Sequence, residues 1–314
     1  MRDPKQIYRR RLRNLVARPL TFVLKLCVGT VSWHSAQRIG AWLGRRFWKL
    51  KKRDRTRTLA HLEIAFPELS TEERFDLGRR AAIHLGVNFA EYLHLAHRGP
   101  EAAVAHFEIR GWEHVEAARS QAKVVLIATA HCGNWELMGP VFRSKRKVLT
   151  ALVRSIGEEW MENASKRFRE RLGTQAIARG ESGAAGQLLA LRRRGGYLIA
   201  LIDQDIRAQS VYVPFFGRLA HTPVGPAQLA LRWSMPVVPA FCERLEDGSH
   251  RIEFSPPLPP FDSAKELTAA ITRVIEGQVR KRPEQWVWVH RRWRRQLPDD
   301  TEYLARDLEG SQSG

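Results

Sequence analysis

The sequence predicts an α/β fold: a largely parallel or mixed sheet flanked by helices, preceded by a basic helical region. Three observations carry this. From about Phe107 onward, short apolar runs alternate with longer helical patterns, as they do in chains of βαβ units. The run Val124-Val125-Leu126-Ile127-Ala128 is apolar throughout and reads as a buried strand. The first 57 residues differ in texture. They hold 17 Lys and Arg against two acids, Asp3 and Asp54, which places 15 of the 19 net positive charges there.

Composition bounds the rest. A chain of 314 residues, 44% hydrophobic and 27% charged, fits one large globular domain or two ordinary ones. Its 52 Lys and Arg against 33 Asp and Glu call for an anionic partner: nucleic acid, acidic lipid, phosphorylated substrate or an acidic carrier protein. Three cysteines (Cys27, Cys132, Cys242) with no CxxC pair make no disulfide framework and point to a reducing compartment.

Residues 1–18 are basic. Residues 19–37 are mostly apolar, just short of the roughly 20 that span a bilayer, and carry Lys25. No small-x-small cleavage site follows them. Over 38–50, Ile39, Trp42, Leu43, Phe47 and Leu50 share a helical face, with Arg38, Arg45, Arg46 and Lys49 largely elsewhere. A basic helix with Trp beside an apolar run predicts attachment to a membrane surface; the alternative is an ordinary helix packed on a core. Residues 1–57 are therefore expected to be a membrane-associating region, 58–298 an α/β domain, and 299–314 a loose acidic tail.

Leu59 to Phe66 is helical until Pro67. Ser70 and Glu73 form a capping box for a helix running to about Ala96, broken at Arg98-Gly99-Pro100. Strands are expected at 107–110, 123–129, 147–153, 197–202, 211–215, 236–242 and 251–255. Helices are expected at 112–119, 134–142, 158–171, 182–194, 222–233, 263–281 and 284–292, with Pro140 ending or kinking the second. In such sheets ligands bind beyond the carboxyl ends of the strands. His131 and Asp203 both stand at such ends.

His131-Cys132-Gly133-Asn134-Trp135-Glu136 is the stretch with chemistry in it. A His and a Glu five positions apart at a strand-to-helix turn can fold back onto each other, giving a base and the carboxylate that orients it. The chain has no G-x-S-x-G turn, so the activated hydroxyl can belong to the substrate, which suits direct acyl transfer from a thioester. The N–H groups of Gly133 and Asn134, at a helix start, are candidates for holding the oxyanion. Two other readings remain open on spacing alone: a polar strand end with no chemistry, and Cys132 as a nucleophile.

The stretch from Ala130 to Leu137 resembles the H-x4-D/E signature of glycerolipid acyltransferases, and more narrowly the late acyltransferases of lipid A biosynthesis (the lauroyl/myristoyl transferase family). Supporting stretches follow in order: Leu62 to Glu68, Arg167 to Gly173, Asp203-Gln204-Asp205, Val211 to Gly217, and Pro283 to Arg292. The resemblance covers about residues 55–295. It implies an enzyme at the cytoplasmic face of the inner membrane that needs no cofactor or metal. The donor would be an acyl thioester, of acyl carrier protein or coenzyme A, and the acceptor a hydroxyl of a phosphorylated, sugar-based lipid. Related enzymes acylate mannosylated inositol lipids, so the acceptor stays open. The catalytic pair would be His131 and Glu136. Arg154, Arg167 and Arg169 would face the anionic acceptor, since a guanidinium fork binds two oxygens at once.

Asp203-Gln204-Asp205 ends the strand at 197–202. It reads as a D-x-D metal site, as turn residues, or as polar groups that position substrate or His131; the resemblance favours the last for Asp203 and Gln204. The glycines of Gly180 to Gly186 have the wrong spacing for a dinucleotide fingerprint and suit a helix start. Trp286, Trp288 and Trp293 among Arg291, Arg292, Arg294 and Arg295 admit base stacking as well as packing. Packing is the expectation, and no nucleic-acid motif supports the alternative of a nucleic-acid-binding protein.

Overall fold

The computed structural model describes residues 19, 21, 23–154, 159–179 and 183–296. Residues 1–18, the tail 299–314 and Gly180 to Ser182 lie outside them. Among the described residues, nine strands run in chain order: β1 (Phe107–Arg110), β2 (Val124–Thr129), β3 (Leu149–Arg154), β4 (Thr174–Arg179), β5 (Gly196–Leu201), β6 (Ser210–Phe215), β7 (Arg218–Pro223), β8 (Val237–Arg244) and β9 (His250–Phe254). Seven form one sheet in the order β1-β9-β8-β2-β5-β3-β4. Strands β8, β2, β5, β3 and β4 are parallel; β9 is antiparallel to β8, and β1 follows β9. β6 and β7 form a separate antiparallel hairpin. The sheet is thus mixed and mostly parallel, as the alternation predicts.

β2 lies inside the sheet and is buried at every position, which is why it reads as continuously apolar. Its side chains alternate between the two faces. Val124, Leu126 and Ala128 enter one core with Leu62, Ile271 and the tryptophans Trp286, Trp288 and Trp293. Val125 and Ile127 enter the other with Phe142, Phe168 and Trp112. Helices α1 (Trp33–Leu50), α2 (Lys52–Ala65) and α3 (Thr71–Arg98) precede the sheet. The capping box of Ser70 and Glu73 forms at the start of α3. Later come α4 (Glu101–Val104), α5 (Trp112–Gln121), α6 (Met138–Ser144), α7 (Glu159–Arg171), α8 (Ala184–Arg194), α9 (Gly225–Arg232) and α10 (Ala264–Lys281).

Four expectations need correction. The apolar stretch 19–37 is not one helix: Ser32 caps a new one at Trp33. No described helix is long and apolar enough to cross a membrane. The buried face of α1 is Trp33, Ala36, Gly40, Gly44 and Trp48, not the stripe of large apolar residues. Small residues win because α1 lies against α3: a Cβ on Gly40 would come 2.7 Å from the Gly86 carbonyl oxygen, and one on Gly86 would come 2.3 Å from that of Gly40. The described helices therefore give no support to a separate membrane-associating region, although Trp42 and Leu50 stay exposed.

The second correction is at the carboxyl end. No helix forms over 284–292. A single 3-10 turn, Pro283–Gln285, leads into an irregular segment that pairs Trp286 with Cys132. Its three tryptophans are buried, so packing accounts for them. Third, strands β4 and β7 were not expected. Fourth, the helix expected at 134–142 is split into a 3-10 turn, Trp135–Leu137, and α6. Pro140 sits in the first turn of α6, where no intrahelical donor is lost.

Candidate active site

β2 and β5 are parallel neighbours in register, from Val124 opposite Gly196 to Thr129 opposite Leu201. Continuing that register two residues past both strand ends sets His131 beside Asp203. The imidazole Nδ1 lies 2.8 Å from Asp203 Oδ1, and the His131 backbone N–H donates to Oδ2 at 2.9 Å. Trp286 Nε1 donates to the same Oδ2 at 2.8 Å. Asp203 is fully buried. Burial alone would raise its pKa, but the charge of His131, hydrogen bonds from its side chain and backbone, and the Trp286 donor outweigh that and hold the carboxyl well below its usual range. An ionised acceptor at Nδ1 fixes the tautomer with the proton on Nδ1 and leaves Nε2 as the basic nitrogen. Trp135 packs its edge on the imidazole at 4.8 Å.

The carboxylate at His131 is therefore Asp203, not Glu136. The 3-10 turn carries Glu136 toward α7, where Arg169 grips it with two hydrogen bonds, Nη2 to Oε1 at 2.8 Å and Nε to Oε2 at 3.3 Å. Burial lowers the Arg169 pKa, and the paired Glu136 more than restores it, so the group is held charged. Arg169 Nη1 also donates to Ser165 at 2.9 Å. Arg167 is exposed on α7. Arg154 is the last residue of β3, at the same carboxyl end of the sheet. Of the two arginines whose side chains are described, Arg169 is the one held next to the site.

Gly133 and Asn134 do not offer free N–H groups to an oxyanion. The Gly133 N–H donates to the Gln285 carbonyl at 2.9 Å, and the Asn134 N–H is directed at the buried Cys242 thiol, whose pKa burial pushes up to about 12. Gly133 has φ +57°, and a Cβ there would fall 1.5 Å from the Cys242 carbonyl oxygen. Cys132 is buried, and burial first, then the charge of Asp203, pushes its thiol well above the usual range. That environment suppresses the thiolate, so the nucleophile reading loses its chemistry.

Gln204 does meet His131. Its Nε2 lies 3.0 Å from Nε2 and 3.2 Å from Nδ1 of the imidazole, and 2.7 Å from His290 Nε2. Asp205 turns away, to Arg295 and to His221 at 3.1 Å. Asp203 and Asp205 thus serve different partners, which is not how a D-x-D motif shares a metal.

Four residues have a part in this arrangement that the sequence does not assign them: Trp286 at Asp203, expected only to pack, His290 at Gln204, and Asn88 and Glu91 beneath the loop. Asn88 Nδ2 donates to the Gly133 carbonyl at 2.6 Å, and Asn134 Nδ2 to Glu91 at 2.7 Å. Glu91 is wholly buried and paired with Arg244 at 2.8 Å. Only Trp286 and His290 had a pointer, being within a stretch of family resemblance; no spacing rule links α3 to residue 133.

A cavity of about 230 Å³ opens beside His131. His131, Glu136, Arg169 and Gln204 form its polar end. Leu149, Ala151, Val153, Ile199, Leu201 and Met138 form its apolar wall, between the sheet and α6. It follows β3 from Leu149 to Val153, on the order of 13 Å at the rise of an extended strand. The arrangement is a buried carboxylate–imidazole pair at the mouth of a deep apolar slot, with an arginine beside it.

The chain is similar to known acyltransferases along most of its length. The family described as bacterial lipid A biosynthesis acyltransferase matches residues 7–295. A lipid A biosynthesis acyltransferase of Haemophilus influenzae is 26% identical over 258 residues, 80% of this chain and 78% of that one. The lipid A biosynthesis lauroyltransferase of Escherichia coli is 26% identical over 265 residues, 82% of this chain and 84% of that one. A phosphatidylinositol mannoside acyltransferase of Mycobacterium tuberculosis is 25% identical over 191 residues, 59% of each chain. With a match that spans nearly the whole described fold and relatives that are all acyltransferases, the chain is an acyltransferase enzyme and belongs to the bacterial lipid A biosynthesis acyltransferase family.

Proposed function

We propose that the enzyme moves a fatty acyl chain from a thioester to a hydroxyl of a lipid A-like, phosphorylated glycolipid, with His131 as general base and Asp203 as the carboxylate that orients it. The observation that carries this is the Nδ1–Asp203 bond at the mouth of the apolar slot. The slot takes the acyl chain and brings its thioester carbonyl to His131. Nε2 removes the proton of the acceptor hydroxyl as its oxygen attacks. The tetrahedral intermediate then collapses, the C–S bond breaks, and the imidazolium returns its proton to the leaving thiolate. No protein nucleophile is required. Glu136 holds Arg169 extended and charged beside the mouth, where its remaining N–H groups suit a phosphate of the acceptor; Arg154, at the end of β3, and the exposed Arg167 are further candidates for that acceptor.

The donor we favour is acyl carrier protein, because an acidic protein complements a chain of net charge +19. The acceptor being a lipid, the reaction belongs at a membrane surface, the cytoplasmic face of the inner membrane. Exposed Trp42, with the Arg46 guanidinium 5.4 Å from its ring, is suited to that interface. The test is transfer by the purified enzyme from lauroyl-acyl carrier protein or lauroyl-coenzyme A to a lipid A precursor, read by mass spectrometry of the lipid. His131→Ala should abolish transfer and leave the thermal melt unchanged. Near-wild-type transfer by that variant would sink the mechanism.

A further inference from the structure

A base alone does not complete acyl transfer. The carbonyl oxygen gains a full negative charge in the tetrahedral intermediate, and a donor placed for it is worth about 10²–10³ in rate. The backbone N–H of Gly133 is donated to the Gln285 carbonyl, and that of Asn134 faces the buried Cys242 thiol. Arg169 has three of its N–H groups directed at Glu136 and Ser165. Another neutral donor does touch the imidazole and line the slot: the side-chain amide of Gln204.

The placement of that amide is specific. Its nitrogen is nearly equidistant from the two ring nitrogens of His131, at 3.0 and 3.2 Å. An atom so placed at that range lies over the face of the ring, not in line with the Nε2 lone pair. The lone pair stays open to an incoming hydroxyl, while the amide lines the same cavity as His131. One amide N–H is spent on His290 Nε2 at 2.7 Å. The other is left on the side of His131 and the slot.

We propose that Gln204 is a catalytic residue, donating from Nε2 to the thioester carbonyl oxygen as it becomes an oxyanion, and that His290 is the positioning residue that fixes the amide in the donating orientation. This rests on the acyl-transfer reading above. As the C–O bond forms, the carbonyl electron pair moves onto oxygen, the hydroxyl proton passes to His131, and the Gln204 N–H meets the new charge. When C=O re-forms and C–S breaks, the amide is released unchanged. His290 can orient it because the imidazole is neutral: burial, then the neighbouring His131, push its pKa down to about 4. With its proton on Nδ1, the neutral ring offers Nε2 as an acceptor to the amide N–H and repels Oε1, which is the arrangement that holds Gln204 in the donating orientation. The segment after the 3-10 turn at Pro283–Gln285 thereby supplies two members of the site, Trp286 to Asp203 and His290 to Gln204.

The test is steady-state kinetics of Gln204→Leu and of the near-isosteric Gln204→Glu, with lauroyl-acyl carrier protein, lauroyl-coenzyme A and a lipid A precursor, across pH. The expected result is a fall of kcat by about 10²-fold or more, KM for both substrates within a few-fold of wild type, and an acid limb of kcat at unchanged pH. His290→Phe should lose much of the same factor. His290→Gln, which restores an acceptor, should recover part of it. Wild-type kcat in both Gln204 variants, a loss confined to KM, or a loss that is wholly a shift of the acid limb would each overturn the proposal; the last would mean that Gln204 acts only through His131. Transfer lost in His131→Ala but intact in Gln204→Leu would leave the base reading standing without this one. Full transfer in His131→Ala would remove the base reading, and the Gln204 variants would still report on the donor.

Discussion

Asp203 is a buried carboxylate, held ionised by two donors, the His131 backbone N–H and Trp286 Nε1, and by its imidazole partner. Asp203→Asn keeps the shape and removes the charge, and an amide can present its NH₂ to Nδ1 and force the wrong tautomer. By analogy with carboxylate–imidazole pairs in hydrolases, kcat should fall on the order of 10³–10⁴-fold. Glu136→Gln should behave differently. It loosens Arg169 without touching His131, so KM for the lipid acceptor should rise more than kcat falls; an equal collapse of kcat in both variants would reinstate Glu136 at the base. The pH dependence follows the same residue. The folded pKa of Asp203 is depressed, so its stabilisation is complete above the unfolded value near 3.9 and is lost as pH falls through the lower folded value. Acid unfolding of Asp203→Asn, followed by circular dichroism, should lack that component. His290 adds a second window: neutral in the fold down to about pH 4, it costs stability as pH falls from about 6.5, where the unfolded chain takes up its proton first.

At the scale of elements, the loop from His131 to Asn134 is built from below. Gly133 is the only residue type that fits its φ of +57° against the Cys242 carbonyl. Gly133→Ala must push β8 away or collapse the loop, and should lower the melting temperature and activity together. Glu91 and Arg244 form a buried ion pair that also carries Asn134 and Gln37. Removing one partner, as in Glu91→Ala, leaves a buried charge uncompensated and should cost about 3–5 kcal/mol, measured by denaturant unfolding. These contacts show why the site was only partly readable. The strand ends at Thr129 and Leu201 follow from apolar runs, so His131 and Asp203 were both placed at ligand-binding ends. That β2 and β5 are neighbours in register is a property of the sheet order, and without it the nearer carboxylate in sequence, Glu136, is the natural partner to choose. The 3-10 turn that swings Glu136 to Arg169 leaves no mark in the spacing. The irregular path of 286–293 hid in the same way, because Trp286 and Trp293 stand at helical spacing and both pack on Phe215 although no helix joins them.

Across the whole molecule, the packing of α1 on α3 and the slot beside β3 answer two different demands. The first is geometric: glycines at 40, 44 and 86 let two long helices meet backbone to backbone, which a search for large apolar residues passes over. The second is chemical: under the proposed reaction, a thioester with a long alkyl chain needs a place to put that chain while its carbonyl waits at His131. The relatives are named for different chains, a lauroyltransferase and a palmitoleoyltransferase among them, and a slot lined by side chains from β3, β5 and α6 is a feature that side-chain volume can lengthen or shorten. Ala151 lies on its wall near the middle of β3. Ala151→Phe should fill the deeper part and leave the mouth, with His131, Arg169 and Gln204, in place. Given an equimolar mixture of acyl-carrier-protein thioesters from eight to sixteen carbons, the variant should transfer shorter chains than the wild type while keeping its turnover on the shortest. Ala151→Val should shift the distribution less, in the same direction, and guards against overpacking in the Phe variant. An unchanged product spectrum in both, with melts that show them folded, would mean that the chain lies elsewhere and that the slot serves another part of the substrate.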